Sequence, residues 1–161
     1  MKMLKWILLA DDDPSIAELT TLALAPERLG CEVIQVRDGA EALDCLHRRG
    51  AFQTRADGHP AFVLLDMKMP KVDGLEVLRQ IKSNARLKHI PVVMFSSSCQ
   101  GTDVNRSYQL GANAYVVKPV DFQKFSETLE GVGRFWATLN ESPLVADDAS
   151  AGDRALLAAA V

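Results

Sequence analysis

A chain of 161 residues, 48% apolar and 24% charged, can bury one sizeable core and is too short for two ordinary domains. A net charge of −3 excludes the basic footprint on which nucleic-acid binding relies, and no apolar run approaches the ~20 residues of a membrane span. Cys31, Cys45 and Cys99 are odd in number and lack CxxC spacing, which argues against a disulfide framework or a zinc site and for a reducing, cytoplasmic setting. The opening LKWILLA is too short for the core of a secretory signal.

In chain order, the first strand-like run is WILLA, residues 6 to 10. It passes into three aspartates, of which Asp13 stands where a helix N-cap belongs and Pro14 at the first helical position. Ile16, Leu19, Leu22 and Ala23 continue at helical spacing. CEVIQV, 31 to 36, is the second strand, and RDGAEALDCLHRRG follows as a helix. Asp38 is its N-cap, Glu41 completes a capping box, and basic residues and Gly50 mark its far end. AFVLLD, 61 to 66, and PVVMFS, 91 to 96, are almost wholly apolar, the pattern of strands covered on both faces. Between them GLEVLRQIKS sets Leu75, Leu78 and Ile81 on one helical side; residues 102 to 110 offer Val104 and Tyr108 in the same way. AYVVK, 114 to 118, is the fifth strand. The last helix, from Asp121, carries Phe122, Phe125, Leu129, Val132, Trp136 and Leu139 in one stripe and is expected to bend or fray beyond Gly131.

Strand and helix alternate five times, which dictates a parallel sheet with helices on both faces and right-handed crossovers. Ligands of such sheets sit at the carboxyl ends of the strands. The residues that follow each apolar run should therefore converge: Asp11 and Asp12 after the first, Asp66 at the end of the third, Ser96 of the fourth and Lys118 of the fifth. Three carboxylates so close cannot all stay ionised without a cation among them. An all-oxygen donor set selects a hard ion, Mg²⁺ above all, which leaves room for a phosphate oxygen. Lys118 would supply that group with a point charge and Ser96 with a hydroxyl donor. Asp66, alone at its strand end, is the expected nucleophile, since a carboxylate can carry phosphoryl as an acyl phosphate. Asp13 remains a helix cap.

At these residues the chain resembles the receiver domain of bacterial two-component response regulators. ILLADDDP, LLDMKMPKVDG, VVMFSSS and GANAYVVKP occur in that family's order and spacing, over roughly residues 4 to 140. The resemblance implies an α/β, doubly wound (βα)5 flavodoxin-like sandwich with a five-stranded parallel sheet of order 2-1-3-4-5, forming a receiver domain over residues 1–140. It implies that Asp66 accepts phosphate from a sensor histidine kinase. Mg²⁺ would be held by Asp12 directly, Asp11 largely through water, Asp66 and the backbone carbonyl of Lys68. Ser96 would shift toward the phosphate, with Ser97 as the alternative in the serine run. Tyr115 would exchange between exposed and buried rotamers, or serve simply as core. Lys118 would pair with the phosphoryl group, and the Lys118–Pro119 bond would be cis.

The output implied is a shift of the face formed by the fourth helix, fifth strand and fifth helix, read by a downstream protein target or a phosphotransfer protein. The long connection HRRGAFQTRADGHPA and the extended final helix, GRFWATLNESP, are similar to stand-alone regulators that partner phytochrome-type sensor kinases. That subgroup often self-associates, so a homodimer is an expectation, with Phe135 and Trp136 either at its surface or completing the core. Lys68, two residues after the phosphoacceptor, should alter the lifetime of the phosphoryl group.

His47, His59 and His89 lack partners at ligand spacing and are expected at the surface, and Cys99 reads as a small loop residue. Residues 141–161 are expected to form a flexible, Ala-rich tail whose DRALLAAAV end is at most a transient helix, with no effector domain after the receiver. Two other functions fit part of the pattern. One is a docking protein that has lost phosphotransfer; the other is an aspartyl-nucleophile phosphatase, although such enzymes carry a second Asp where Lys68 stands. The leading expectation is a phosphoacceptor that catalyses its own phosphorylation and hydrolysis by positioning and charge stabilisation, not a turnover enzyme.

Overall fold

The structure is a computed structural model that describes residues 5–24, 26–55 and 58–143. Most of the expected tail, 144–161, lies outside the described residues, as does DRALLAAAV. Strands β1 (Lys5–Ala10), β2 (Cys31–Val36), β3 (Phe62–Leu65), β4 (Val92–Ser96) and β5 (Ala114–Val117) form one parallel sheet in the order β2-β1-β3-β4-β5. Helices α1 (Pro14–Ala23), α2 (Gly39–His47), α3 (Gly74–Ser83), α4 (Gly101–Gln109) and α5 (Phe122–Gly133) connect and cover it. This is the doubly wound flavodoxin-like arrangement that the alternating pattern dictates.

Period-two alternation divides the central strands between two cores. Trp6, Leu8, Ala10, Val63, Leu65, Val92 and Met94 face α2 and α3, whose Leu43, Leu46, Val77, Leu78 and Ile81 complete that layer. Ile7, Leu9, Phe62, Leu64, Val93 and Phe95 face the opposite way, onto Ala17 of α1 and Phe125 and Leu129 of α5. Each fully buried Leu, Ile or Phe contributes about 1.5–3 kcal/mol of transfer free energy, so both layers hold the sheet's carboxyl edge in place. Four helices start on an aspartate cap: Asp13 accepts from the Ser15 and Ile16 N–H, Asp38 from Glu41, Asp73 from Glu76 and Asp121 from Lys124.

Four local expectations change. Tyr108 is exposed, and the residue that α4 buries is Ser107, which donates to the Asp103 carbonyl at 2.9 Å; the inward side of α4 is set one residue earlier than its aromatic suggests. The last helix does not fray at its glycines. Gly133 lets it approach the short turn Pro26–Leu29 so closely that a Cβ there would lie 2.6 Å from Leu29 Cδ1 and 2.7 Å from Leu24 Cδ2. Beyond it the chain widens into a π-helical segment, Arg134–Leu139, in which Trp136 packs on the core and Phe135 stays exposed. The Lys118–Pro119 peptide is trans, not the cis bond that the resemblance implied. Trans is the lower-energy isomer of an X-Pro bond by about 0.5–1 kcal/mol. Finally, His59 and His89 are half-buried and adjacent, not separate surface residues: His59 Nδ1 lies 3.2 Å from His89 Nε2.

Candidate functional site

The sheet register delivers the site. Ala10 is opposite Leu65 across β1 and β3, and Ser96 opposite Val117 across β4 and β5, so the next residue of each strand emerges at one edge. The ladder hydrogen bonds continue one step into these residues. The Asp11 N–H donates to the Val36 carbonyl (3.2 Å), Asp66 to Ala10 (3.0 Å) and Lys118 to Ser96 (2.8 Å). The Asp11 and Asp66 carboxylates and the Lys118 ammonium group therefore stand on residues tied into the hydrogen-bond ladder of the sheet.

Asp11, Asp12 and Asp66 each present a carboxylate oxygen within 4.8 Å of the others. Their surroundings differ. The Asp11 side chain is 2% exposed, accepts the Asp13 N–H on Oδ1 (2.9 Å) and meets Lys118 Nζ at Oδ2 (2.8 Å). Asp66 is half-buried; its Oδ1 accepts the Met67 N–H at 2.8 Å, and its Oδ2 lies 3.4 Å from Lys118 Nζ. Asp12 is exposed and lines a cleft of about 570 Å³ together with Lys68, Asp73, Asp103 and Arg106. Burial pushes the Asp66 carboxyl above its ordinary range; Lys118 opposes that shift, Asp11 adds to it, and the Met67 N–H opposes it.

The donor set fits a divalent cation: hard carboxylate oxygens only, two of them on or near the surface and one already neutralised by Lys118. Gly74 seals the other side. A Cβ at this position would collide with the Asp66 carbonyl, so α3 begins in contact with the backbone of the residue it supports.

The three serines after β4 hold three different positions. Ser96 is buried, and its Oγ accepts the Ser98 N–H at 3.1 Å. Ser97 is exposed. Ser98 donates to Asp103 Oδ2 at 2.6 Å, while its carbonyl accepts the Tyr115 hydroxyl at 2.8 Å, a hydroxyl also 3.3 Å from Met67 Sδ. Tyr115 thus faces inward and ties the loop after β4 to the residue following Asp66. Ser98, the third hydroxyl of the serine run, and Asp103, which the sequence reading did not single out, are the residues that fix this loop; a serine and an aspartate five apart carry no signal of it.

A parallel sheet of this order, with three carboxylates and a lysine at its carboxyl edge, defines a receiver of two-component signalling. The model of the response regulator receiver domain matches residues 7–130, and the chain belongs to that family. Response regulator Rcp1 of Synechocystis sp. is 36% identical over 132 residues, 82% of this chain and 88% of that protein. The Mn(2+)-bound form of Rcp1 covers 87% of this chain and 99% of its own with a TM-score of 0.80 and 34% identity. The phosphorylated cyanobacterial phytochrome response regulator RcpA gives 0.81 at 36% identity, over 87% of this chain and 99% of that one. The bacteriophytochrome response regulator RtBRR is 54% identical, with a TM-score of 0.70 over 98% of this chain and 95% of that one. Among the described residues, no helix is long and apolar enough to cross a membrane.

Proposed function

We propose that this response regulator accepts a phosphoryl group on Asp66 from a sensor histidine kinase, of the phytochrome type that its relatives' names indicate, with Mg²⁺ at Asp11, Asp12, Asp66 and the Lys68 carbonyl. The observation that carries the reading is the Lys118 ammonium at 2.8 Å from Asp11 and 3.4 Å from Asp66 beside an exposed third carboxylate. The Met67 N–H occupies Asp66 Oδ1, which leaves Oδ2 to attack phosphorus. The new O–P bond forms as the P–N bond of a phosphohistidine breaks, and the imidazole departs with the electron pair. Lys118 then meets the phosphoryl oxygens in place of the carboxylate charge, and Ser96 offers its hydroxyl to them. Mg²⁺ bound at the carboxylates supplies neutralisation of the charge on those oxygens.

Receiver boundaries of 1–140 and a cytoplasmic location accompany this reading, the latter supported by free Cys31, Cys45 and Cys99. Relay through the α4-β5-α5 face, to a downstream protein or a second copy of the chain, is supported by exposed Tyr108, Val117, Val120 and Phe122. Self-catalysed phosphorylation and slow hydrolysis follow from positioning rather than turnover. Intact mass after incubation with acetyl phosphate and Mg²⁺, with size-exclusion profiles, tests the proposal. Wild type should gain one phosphoryl group, ~80 Da, and Asp66→Asn none; no gain in wild type would return the chain to a docking role.

A further inference from the structure

We infer that Lys71 and Asp38 form a positioning pair, whose contact holds the loop between β3 and α3, and with it the Lys68 carbonyl, in the shape that metal binding needs; this role rests on the Mg²⁺ site proposed above. Asp38 is not one of the three clustered carboxylates, and neither residue touches the metal in this assignment.

The loop that follows Asp66 is closed by the Gly74 N–H, which donates to the Met67 carbonyl at 2.8 Å. Inside it the Val72 N–H donates to the Pro70 carbonyl, also at 2.8 Å, so residues 70–72 make a three-residue γ-turn centred on Lys71. Lys71 has φ 65°. A positive central φ marks the rare, strained form of this turn, and a side-chain-bearing residue keeps it only where the surroundings over-determine it.

Asp38 supplies part of that constraint. It follows β2 and caps α2, and its two oxygens divide the work: Oδ1 accepts the Glu41 N–H at 2.8 Å, and Oδ2 meets Lys71 Nζ at 3.1 Å. The Asp38 side chain is 8% exposed and that of Lys71 67%. A carboxylate so withdrawn from water needs a partner for its second oxygen, and the cap fixes where that oxygen lies. The buried end is thus the anchor, and the lysine reaches across to it from the turn. The backbones meet as well: a Cβ on Gly39 would collide with the Val72 carbonyl, so the start of α2 lies directly against the turn. The Val72 side chain packs on the core layer below. Apolar packing holds one side of the turn and charge the other.

Lys68 belongs to the same loop, its side chain exposed between buried Met67 and Met69. The position of its carbonyl follows the shape of the loop, and outer groups that orient a metal's ligands typically account for about 10–100-fold in affinity.

The test is a double-mutant cycle on Mg²⁺ affinity by calorimetry, with Asp12→Asn as the control for binding at the carboxylate cluster. Lys71→Met removes the charge and keeps the stem; Asp38→Asn removes the charge and keeps a helix cap. Each should weaken Mg²⁺ binding about tenfold, the double variant no more than either alone, and Lys71→Arg should stay within about twofold of wild type. Lys71→Gly, which suits the positive φ, should unfold in urea no more easily than wild type yet bind Mg²⁺ as weakly as Lys71→Met, a split that a purely structural role would not give. In EDTA the Val72 amide should exchange about tenfold faster in Lys71→Met and in Asp38→Asn, which reads the pair without metal. Single effects that multiply in the double variant, or Mg²⁺ affinity and Val72 exchange unchanged in both single variants, would overturn the inference. A wild type that takes no Mg²⁺ would overturn the metal assignment instead, and Val72 exchange would then decide by itself whether the pair holds the loop.

Discussion

Replacing Lys118 with Met keeps the stem and removes the charge that separates Asp11 from Asp66. The side chains concerned are 10%, 2% and 13% exposed, so the two carboxylates would face each other in a poorly hydrated pocket. Removing one partner of a buried ion pair costs about 3–5 kcal/mol; because Asp66 can take up a proton, the low end, ~3 kcal/mol, is the expected loss near neutrality. With a urea slope of about 2 kcal/mol per molar, the unfolding midpoint should fall by roughly 1.5 M. The pH dependence has a defined sign. Burial raises the folded Asp66 pKa above its ordinary value of 3.8, and Lys118 is the largest influence holding it down. The folded protein therefore binds more protons than the unfolded chain from about that value up to the folded pKa, and stability falls as pH rises across that window. Lys118→Met widens the window upward. Urea unfolding followed by Trp fluorescence at several pH values should show a steeper loss with rising pH in the variant, partly reversed by Mg²⁺. A midpoint and pH slope equal to wild type would mean that the three charges are not coupled and the site has been misread.

The adjacent aspartates should separate by role: Asp12→Asn lowers Mg²⁺ affinity in calorimetry by more than about tenfold with stability changed by less than ~0.5 kcal/mol, whereas Asp13→Ala costs ~1 kcal/mol and leaves affinity intact. Gly74→Ala forces a methyl group against the Asp66 carbonyl and should cost about 1–3 kcal/mol in urea unfolding, with slower phosphorylation. Tyr115→Phe removes the hydrogen bond to the Ser98 carbonyl; a loss of ~1 kcal/mol and faster amide exchange in residues 97–100 are expected. Lys68→Ala, at the mouth of the Asp12 cleft, should change phosphoryl lifetime while leaving stability within ~0.5 kcal/mol, and an unchanged lifetime would remove Lys68 from the site's chemistry.

Much of the fold was legible because its signals are local. Apolar runs bounded by Asp11, Asp66, Ser96 and Lys118 mark strand ends, and Asp13, Asp38 and Asp121 announce helix starts by chemistry that acts within one turn. From alternation alone followed the convergence of residues spread from 11 to 118. What escaped the sequence depends on contacts between distant segments. The left-handed Arg48 ends α2 two residues before Gly50, the glycine that the sequence offers as its end, and nothing in the chain shows that His59 meets His89, thirty residues on. Gly131 and Gly133 read as weak points of the last helix, yet Gly133 is there for close packing against Leu24 and Leu29. Tyr108 and Ser107 differ by one position, 100° around a helix, and a short polar helix has too few apolar residues to fix that phase.

The most direct test of the central claim is residue-specific. Protein treated with acetyl phosphate and Mg²⁺ is reduced with borohydride, which converts an aspartyl phosphate to homoserine, and then digested and sequenced by mass spectrometry. Homoserine at position 66 alone, abolished by omitting Mg²⁺ and strongly reduced in Lys118→Met, is the expected result. Homoserine at Asp11 or Asp12, or none at all in wild type, would contradict the assignment of Asp66 as the phosphoacceptor.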